Sequence, residues 1–460
     1  MSTIKANRSV SLSAAWDVKP LGEMVQPTRP RIKPSEKPDL PFIGMENVEA
    51  HTMKLLGTVP AATMKSSAVH FQSGDVLYGR LRPYLNKIYR PEFEGLCSAE
   101  FIVFPKTERI DSRYLQYFLN SSAFVSFASH LNTGDRPRVD FEQLAPYPFP
   151  LAPPDEQKHI VAEIEKQFSR LDEAVASLKR TKANLQRYKA AVIKAAVEGK
   201  LTEEWRKAHP DVEPASKLLE RILIERRARW RGKGKYKEPV RPESSNLTPL
   251  PKHWVTATVD SFLVEPMCNG ISVKGSMSPP GVPALRLNAM TERGFDYREV
   301  RYIPIDPTLA KDLEVRTGDF FVSRGSGSLR LVGRGTVAQS PPCQCVFPDT
   351  MIRLRTVSAE HSNWISTIWA SELIRRQIEK RVKTTAGIWK ISQPELGSIM
   401  LPVPPEAEQS QIVAEVERRL SVIDELESTV DANLTRAERL RQSILGQAFS
   451  GKLLRNETHS

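Results

Sequence analysis

EQKHIVAEIEKQFSRLDEAVASLKRTKANLQRYKAAVIKAAVEGKL, residues 156–201, aligns without a gap onto EQSQIVAEVERRLSVIDELESTVDANLTRAERLRQSILGQAFSGKL, residues 408–453, at an offset of 408 − 156 = 252. Fifteen of the 46 positions are identical, including the Glu-Gln openings, the IVAE runs, Asp172-Glu173 against Asp424-Glu425, and the Gly-Lys-Leu endings. Identity at that level over one fixed offset marks an internal duplication, and a duplication has to be recognised before any local element is assigned. Proline-rich lead-ins precede both copies, PYPFPLAPPDEQ from Pro146 and MLPVPPEAEQ from Met400, which suits helices that begin at these points.

Each copy reads as a long amphipathic helix. Ile164, Phe168, Leu171, Val175, Leu178, Leu185, Tyr188, Val192 and Ala196 step by threes and fours, with Lys182 breaking the seam once. The second copy follows the pattern less strictly through Ile412, Val416, Leu420, Ile423, Val430, Leu434, Ala437, Ile444 and Ala448. Forty-odd residues without Pro, rising about 1.5 Å each, give a rod of roughly 60 Å. One such rod cannot bury its own apolar stripe, but two of equal length can bury each other's. The simplest closed pairing of two equivalent repeats is a pseudo-twofold, which makes the pair antiparallel and sets the globular halves at opposite ends.

The repeat extends faintly upstream. Gly74-Asp75 with Arg80 matches Gly318-Asp319 with Arg324 at offset 318 − 74 = 244, and Thr133, Arg138, Val139 and Leu144 face Thr385, Lys390, Ile391 and Leu396 at offset 252. The drifting offset means that the variable halves differ by insertions. Short β-like runs such as DVLYGRL, AEFIVF, DFFVSRG and TMIRLRT alternate with turn residues and lead into more helical stretches, so each half reads as α+β. The expected domains are a first variable globular domain at 1–150, the first coiled-coil helix at 151–201 and a basic linker at 202–250 with a short helix near Ala215–Arg229. A second variable globular domain at 251–402 and the second helix with its tail at 403–460 complete the chain.

Composition narrows the function. The chain has 460 residues, 66 basic against 54 acidic side chains, a formal charge of +12 and 40% hydrophobic residues, which places it among multi-domain globular proteins open to a polyanionic partner. Its four cysteines, Cys97, Cys268, Cys343 and Cys345, form neither a CxxC pair nor a Cys/His cluster at zinc spacing. No apolar run approaches a membrane span, and a soluble, cytoplasmic protein is expected. GQAFSGK at Gly446–Lys452 falls one residue short of a phosphate-binding loop, with Leu453 where Ser or Thr must stand, and it lies inside a heptad helix. Gly333-Arg334-Gly335 with Ala338 has no βαβ unit around it. No aminomethyltransferase, hydrolase or metalloprotease signature occurs, so no catalytic residue, metal or cofactor is expected in this chain.

Basic residues interleaved with Asn, Ser and Gly carry the functional reading. RRARWRGKGKYK, residues 226–237, holds seven cations in twelve residues beside Trp230 and Tyr236, suited either to phosphates or to a solvated linker. In the first half Arg80, Arg82, Asn86 and Lys87 cluster, with Asn132, Arg136 and Arg138 further on; in the second, Arg324, Ser326 and Arg330 cluster, with Lys383 and Lys390 further on. Arg matches guanine and Asn matches adenine in the major groove, so these are the candidate DNA-binding residues. Positions common to both halves, Arg80/Arg324 and Arg138/Lys390, are expected to hold the phosphate backbone. Positions that differ, Arg82 against Ser326, Asn86 against Arg330 and Arg136 against Ile388, are expected to choose bases. The repeated polar pairs Glu156-Gln157/Glu408-Gln409 and Asp172-Glu173/Asp424-Glu425 are read as exposed and suggest one partner protein docking twice, with helix capping as the competing explanation.

Three motifs together resemble the specificity subunits of type I restriction-modification systems: GDVLYGRLRPYLNK with CSAEFIVF, the proline-led EQxxIVAE opening both rods, and AAVEGKLTEEWR closing the first. The resemblance spans nearly the whole chain. It implies two target-recognition domains joined by antiparallel helices, each domain binding one half of a bipartite double-stranded DNA site. It implies no catalysis by this subunit, two methylase partners using S-adenosylmethionine, and two motor-nuclease partners using ATP and Mg2+. A rod between two groove-binding domains also implies half-sites at a fixed separation of about 10 bp. The second rod departs from the pattern by ending GKLLRNETHS, without a TEEWR. A coiled-coil scaffold without DNA readout and a fused enzyme are the other classes considered.

Overall fold

The computed structural model describes residues 16–27, 30–231, 235–242, 249–292, 294–385 and 387–454, and the chain divides into two compact units. Residues 1–181 with 429–460 form the first, and residues 182–428 form the second. The fold is α+β in both. The two long helices span Pro154–Val197 and Glu406–Ala448, and each contributes to both units.

In the first unit, strand Asp17–Pro20 pairs antiparallel with Pro148–Leu151, the strand that feeds directly into the first long helix. A three-stranded sheet sets Val76–Gly79 between Ile88–Tyr89 and Phe101–Phe104. A five-stranded sheet contains Pro41–Ile43, which runs parallel to Gly95–Ser98 and antiparallel to Val59–Pro60. Helices Ser112–Leu119 and Ser122–His130 start on side-chain caps from Asp111 and Ser121, which satisfy first-turn N–H groups. The core joins Tyr78, Phe104, Tyr114, Phe118, Phe124 and Phe149 to Ile160, Ile164 and Phe168 of the first long helix and to Leu445 and Ala448 of the second. The helices run antiparallel here, since Arg441 stacks 4.2 Å over Phe168 and pairs with Asp172 while later residues of the second helix meet earlier residues of the first.

The second unit repeats the plan. Val255–Thr258 pairs antiparallel with Met400–Val403, which feeds the second long helix. Phe320–Ser323 lies between Met351–Leu354 and Gly335–Val337. Ser371 caps helix Glu372–Arg381 as Ser121 caps its counterpart. Trp364, Trp369, Phe320 and Phe262 share a core with Val192 and Ala196 of the first long helix and with Ile412, Val416 and Ile423 of the second. The antiparallel course holds here as well, with Lys189 Nζ 3.6 Å from Asp424 and Ala196 buried with Ile412.

The Gly-Lys-Leu endings have a backbone cause. Gly199 and Gly451 take φ of +67° and +72°, and the following Lys200 and Lys452 N–H groups reach back to Ala195 and Gln447 carbonyls at 2.8 and 3.0 Å. A left-handed residue closes the helix in both copies, and glycine adopts it without a Cβ penalty. The expected seam is tightest at Ile164, Phe168, Val192 and Ala196, whereas Tyr188 is half-exposed, a second break beside the one expected at Lys182.

The short helix after the first rod spans Ala215–Arg229 and buries Ala215, Leu218, Ile222 and Arg226 at steps of three and four. Arg226 overturns one expectation. Its guanidinium is 1% exposed, stacks at 4.3 Å on Trp230 and 5.1 Å on Tyr236, and donates to the Asp260 and Lys237 carbonyls. The two aromatics of the basic run therefore solvate a structural cation. Residues 232–234 of that run lie outside the described residues, as do residues 455–460 of the second rod's tail.

Candidate nucleic-acid interface

The segments picked out separately in each half come together. In the first unit the Arg80 carbonyl accepts from Val139 N at 3.0 Å, Leu81 bridges to Arg138, and Arg82 N donates to the Pro137 carbonyl at 2.7 Å. In the second unit the Arg324 carbonyl accepts from Ile391 N at 3.0 Å, Gly325 pairs with Lys390, Ser326 pairs with Trp389, and Lys383–Thr385 adds an outer strand. The N–H of Arg80 donates to Glu100 and that of Arg324 to Thr350, both at 2.8 Å. One backbone frame thus holds two equivalent arginine-bearing loops.

Acids inside the frame restrain several of the cations. Arg80 pairs with Asp140 and Arg138 with Glu100. Lys383 reaches Glu395 at 3.1 Å while staying exposed, and Arg324 donates to the Asp349 carbonyl at 3.5 Å. Asn132 donates to the Arg138 carbonyl and to Gln143 at 3.2 Å, so it shapes the second loop. Lys87 donates to the Met45 carbonyl at 2.6 Å. Arg136 and Arg330 are exposed, as is Lys390, and Ser326 accepts from the Ser328 N–H at 3.1 Å. Arg82 sits at φ +52° with its Nε buried and without a partner.

Asn86 requires a correction. It is 2% exposed and donates to Asn120, so its amide is shielded inside the fold and out of reach of a base edge. The pairing of Asn86 with Arg330 also slips. The 3-10 turn Pro83–Leu85 corresponds to Leu329–Leu331, an offset of 329 − 83 = 246, which puts buried Val332 opposite Asn86. A longer second loop moved the register, and that position faces inward in both units.

The repeated polar pairs on the rods divide in the same way. Gln157 is 1% exposed, accepts from Asp111 N at 2.8 Å and donates to the Ala152 carbonyl at 2.8 Å. Gln409 is buried and donates to the Pro404 carbonyl at 2.9 Å. Glu408 is fully buried, accepting from Thr202 Oγ1 at 2.7 Å and Trp254 Nε1 at 2.9 Å and pairing with Arg206. These three are not the exposed pairs expected; they tie each rod's start to its own unit. Asp172 pairs with Arg441 and Asp424 with Lys189, Glu156 is half-buried, and Glu173 and Glu425 are exposed.

Burial raises the Cys97 thiol far above its ordinary range and pushes Cys345 up to about 12, so neither is a ready nucleophile; Cys343 is exposed. Gly446 lies within the second long helix, which confirms that GQAFSGK is no phosphate loop. No helix among the described residues is long and apolar enough to cross a membrane.

Sequence reading missed a group of polar side chains on and beside strands Val282–Leu285 and Val300–Ile303, among them Arg286, Asn288 and Arg301. FIGMENV at Phe42 and ALRLNAM at Ala284, equivalent through strand pairing at offset 284 − 42 = 242, share no identical residue, so no sequence signal pointed to them.

Residues 14–187 match the family described as the type I restriction modification DNA specificity domain. The specificity subunit of the type I restriction enzyme EcoKI from Escherichia coli strain K12 is 27% identical over 368 residues, covering 78% of this chain and 68% of that protein. The StySPI specificity subunit of Salmonella potsdam is 28% identical over 350 residues, covering 75% and 66%. A chain from a solved structure concerned with complex assembly and conformational transition of the type I restriction-modification system superposes with a TM-score of 0.68 at 20% identity, covering 96% of this chain and 99% of that one, a likeness of fold. With its duplicated helices and its repeated loop frame, the chain is similar over most of its length to type I restriction-modification specificity subunits, and its residues 14–187 match their DNA specificity domain.

Proposed function

We propose that this chain reads a bipartite double-stranded DNA sequence, one half-site per unit, and carries that specificity to methylase and motor-nuclease subunits without a catalytic centre of its own. The observation that carries the reading is the duplicated frame: the carbonyls of Arg80 and Arg324 accept the same backbone bond, from Val139 and Ile391, beneath loops that differ in side chain. A shared frame with divergent loops is what two half-sites of different sequence require. Arg80, Arg138, Arg324, Lys383 and Lys390 are assigned to phosphates, and Arg82, Arg136, Ser326 and Arg330 to base edges. Asn132 and Lys87 hold the loops in shape. Glu173 and Glu425, exposed at equivalent places on the rods, are assigned to the methylase, one copy on each. S-adenosylmethionine, ATP and Mg2+ belong to those partners.

The test is a map of N6-methyladenine across the host genome, with this gene intact and deleted. A single bipartite motif with a fixed gap that loses methylation on deletion is the expected result. A methylome unchanged by deletion, in a host where the neighbouring methylase is expressed, overturns the reading.

A further inference from the structure

The second unit contains a cavity of about 820 Å³ beside the Arg324 loop, with Ser323 and Arg301 in its wall and Arg286, Asn288 and Arg334 around it. Two of its polar groups are unsatisfied. Ser323 is 3% exposed and its Oγ has no partner, and the Nε of Arg301 is buried without one. A buried donor with no acceptor is a standing cost that an acceptor-bearing ligand relieves. Glu299 holds two of the other groups in place, accepting from Arg286 at 3.0 Å and from Asn288 Nδ2 at 2.7 Å, so that a guanidinium and an amide stand side by side at the exposed rim.

The first unit has the same backbone here and lacks the cavity's chemistry. Phe42 pairs in parallel with Leu96 and antiparallel with Val59, as Ala284 pairs in parallel with Val346 and antiparallel with Arg301. Gly79 N donates to the Lys87 carbonyl and Ser323 N to the Arg334 carbonyl, both at 2.8 Å. These pairings equate Arg286 with Gly44, Asn288 with Glu46, Arg301 with Val59, Ser323 with Gly79 and Arg334 with Lys87. All five positions differ. In the first unit the space is taken: a methyl group on Gly79 would stand 2.9 Å from Met45 Cε, and Lys87 is tied to the Met45 carbonyl.

We infer that this cavity receives an acceptor-bearing base edge of duplex DNA, and that Arg301, Arg334 and Asn288 determine the sequence read by the second unit. The inference rests on the DNA-reading function proposed above and adds to it Arg301 and Asn288, which lie outside the loops. Three guanidinium groups and an amide suit acceptor-rich edges such as guanine O6/N7 and adenine N7 with its amino group. Divergence at every equivalent position is expected of a device that gives two half-sites different sequences.

The gene-deleted host, complemented with the full-length chain or its variants, tests this by methylome mapping. Wild-type complementation has to restore one bipartite motif; failure there strikes the proposed function and not the cavity. With that motif restored, Asn288→Ala and Arg334→Ala are expected to relax one half-site, lowering discrimination about tenfold at one or two positions while the other half-site and the gap stay fixed. An unchanged motif, or a uniform drop in methylation with both half-sites intact, overturns the inference. If an alanine variant abolishes methylation altogether, Arg334→Lys and Ser323→Gly, which import the first unit's residues, decide: a changed half-site supports base reading, and an unchanged motif or renewed total loss rejects it.

Discussion

The indole N–H of Trp254 donates to the carboxylate of Glu408 at 2.9 Å, inside a cluster where that carboxylate is entirely shielded from solvent. Thr202 and Arg206, from the TEEWR segment that follows the first rod, complete the cluster. The segment absent from the second rod is therefore the one that locks the second rod's own first turn in place. Removing one partner of a buried pair strands the other charge and costs about 3–5 kcal/mol. Arg206→Ala is expected to lower the unfolding free energy of the second unit, read from urea titration, by that order, and Glu408→Gln by less, because a neutral amide keeps the indole bond without needing a counter-charge. Adding Glu408→Gln to Arg206→Ala should recover part of the loss. A midpoint indifferent to Arg206→Ala would show that the hydroxyl and the indole suffice.

His361 makes part of the second unit's stability depend on pH. Burial holds its imidazole below the ordinary 6.5, against the opposing pull of Glu406, Glu360 and Glu225, and Nδ1 lies 2.9 Å from Ser358 Oγ. The folded state then binds fewer protons than the unfolded chain near and below pH 6.5. The associated stability is intact above that value, falls as the pH drops through it, and levels off only where the folded imidazole also protonates. His361→Gln should flatten the urea midpoint against pH between about 7 and 5. A slope of the same size in the variant would place the titration elsewhere.

What was legible in the sequence followed from covalent spacing. Fifteen identities at one offset gave away the rods, and the Arg80/Arg324 and Arg138/Lys390 positions, each matched by its own local offset, occupy the same backbone frame in both units. What was not legible depended on direction and register. Gln157 and Glu408 looked solvated among charged neighbours, yet each faces inward to a partner distant in sequence, the Asp111 N–H 46 residues before Gln157 and the Thr202 hydroxyl 206 residues before Glu408. Asn86 was misplaced by a two-residue lengthening of the second loop, and Arg301 had no visible counterpart until strand pairing set it against Val59.

The first unit's loops separate phosphate contacts from base contacts. Arg80 stands at the root of the frame, restrained by Asp140, whereas Arg136 is exposed in the loop before Arg138. Measured on the complex with its methylase over a panel of duplexes, Arg80→Ala should weaken binding about equally on every sequence and reduce the salt slope by about 1. Arg136→Ala and Arg82→Ala should relax one half-site only. Equal weakening by all three on all sequences would contradict the division of roles.

The two glutamines that open the rods offer a comparison within one molecule. Gln157 and Gln409 each donate to the carbonyl five residues earlier, Ala152 at 2.8 Å and Pro404 at 2.9 Å. Gln157 also accepts from the Asp111 N–H at 2.8 Å and donates to the Arg109 carbonyl at 3.2 Å, which fastens the loop before helix Ser112–Leu119 to the rod. Losing a buried partner leaves these backbone groups unsatisfied at about 1–3 kcal/mol each. Gln157→Ala should therefore destabilise the first unit more than Gln409→Ala destabilises the second. Hydrogen exchange resolves the cause: the Asp111 amide should lose protection selectively in Gln157→Ala while the amides of the following helix exchange as before. Equal losses of stability in the two variants, with Asp111 still protected, would mean that the rod's start is held by its proline-led backbone and not by the glutamine.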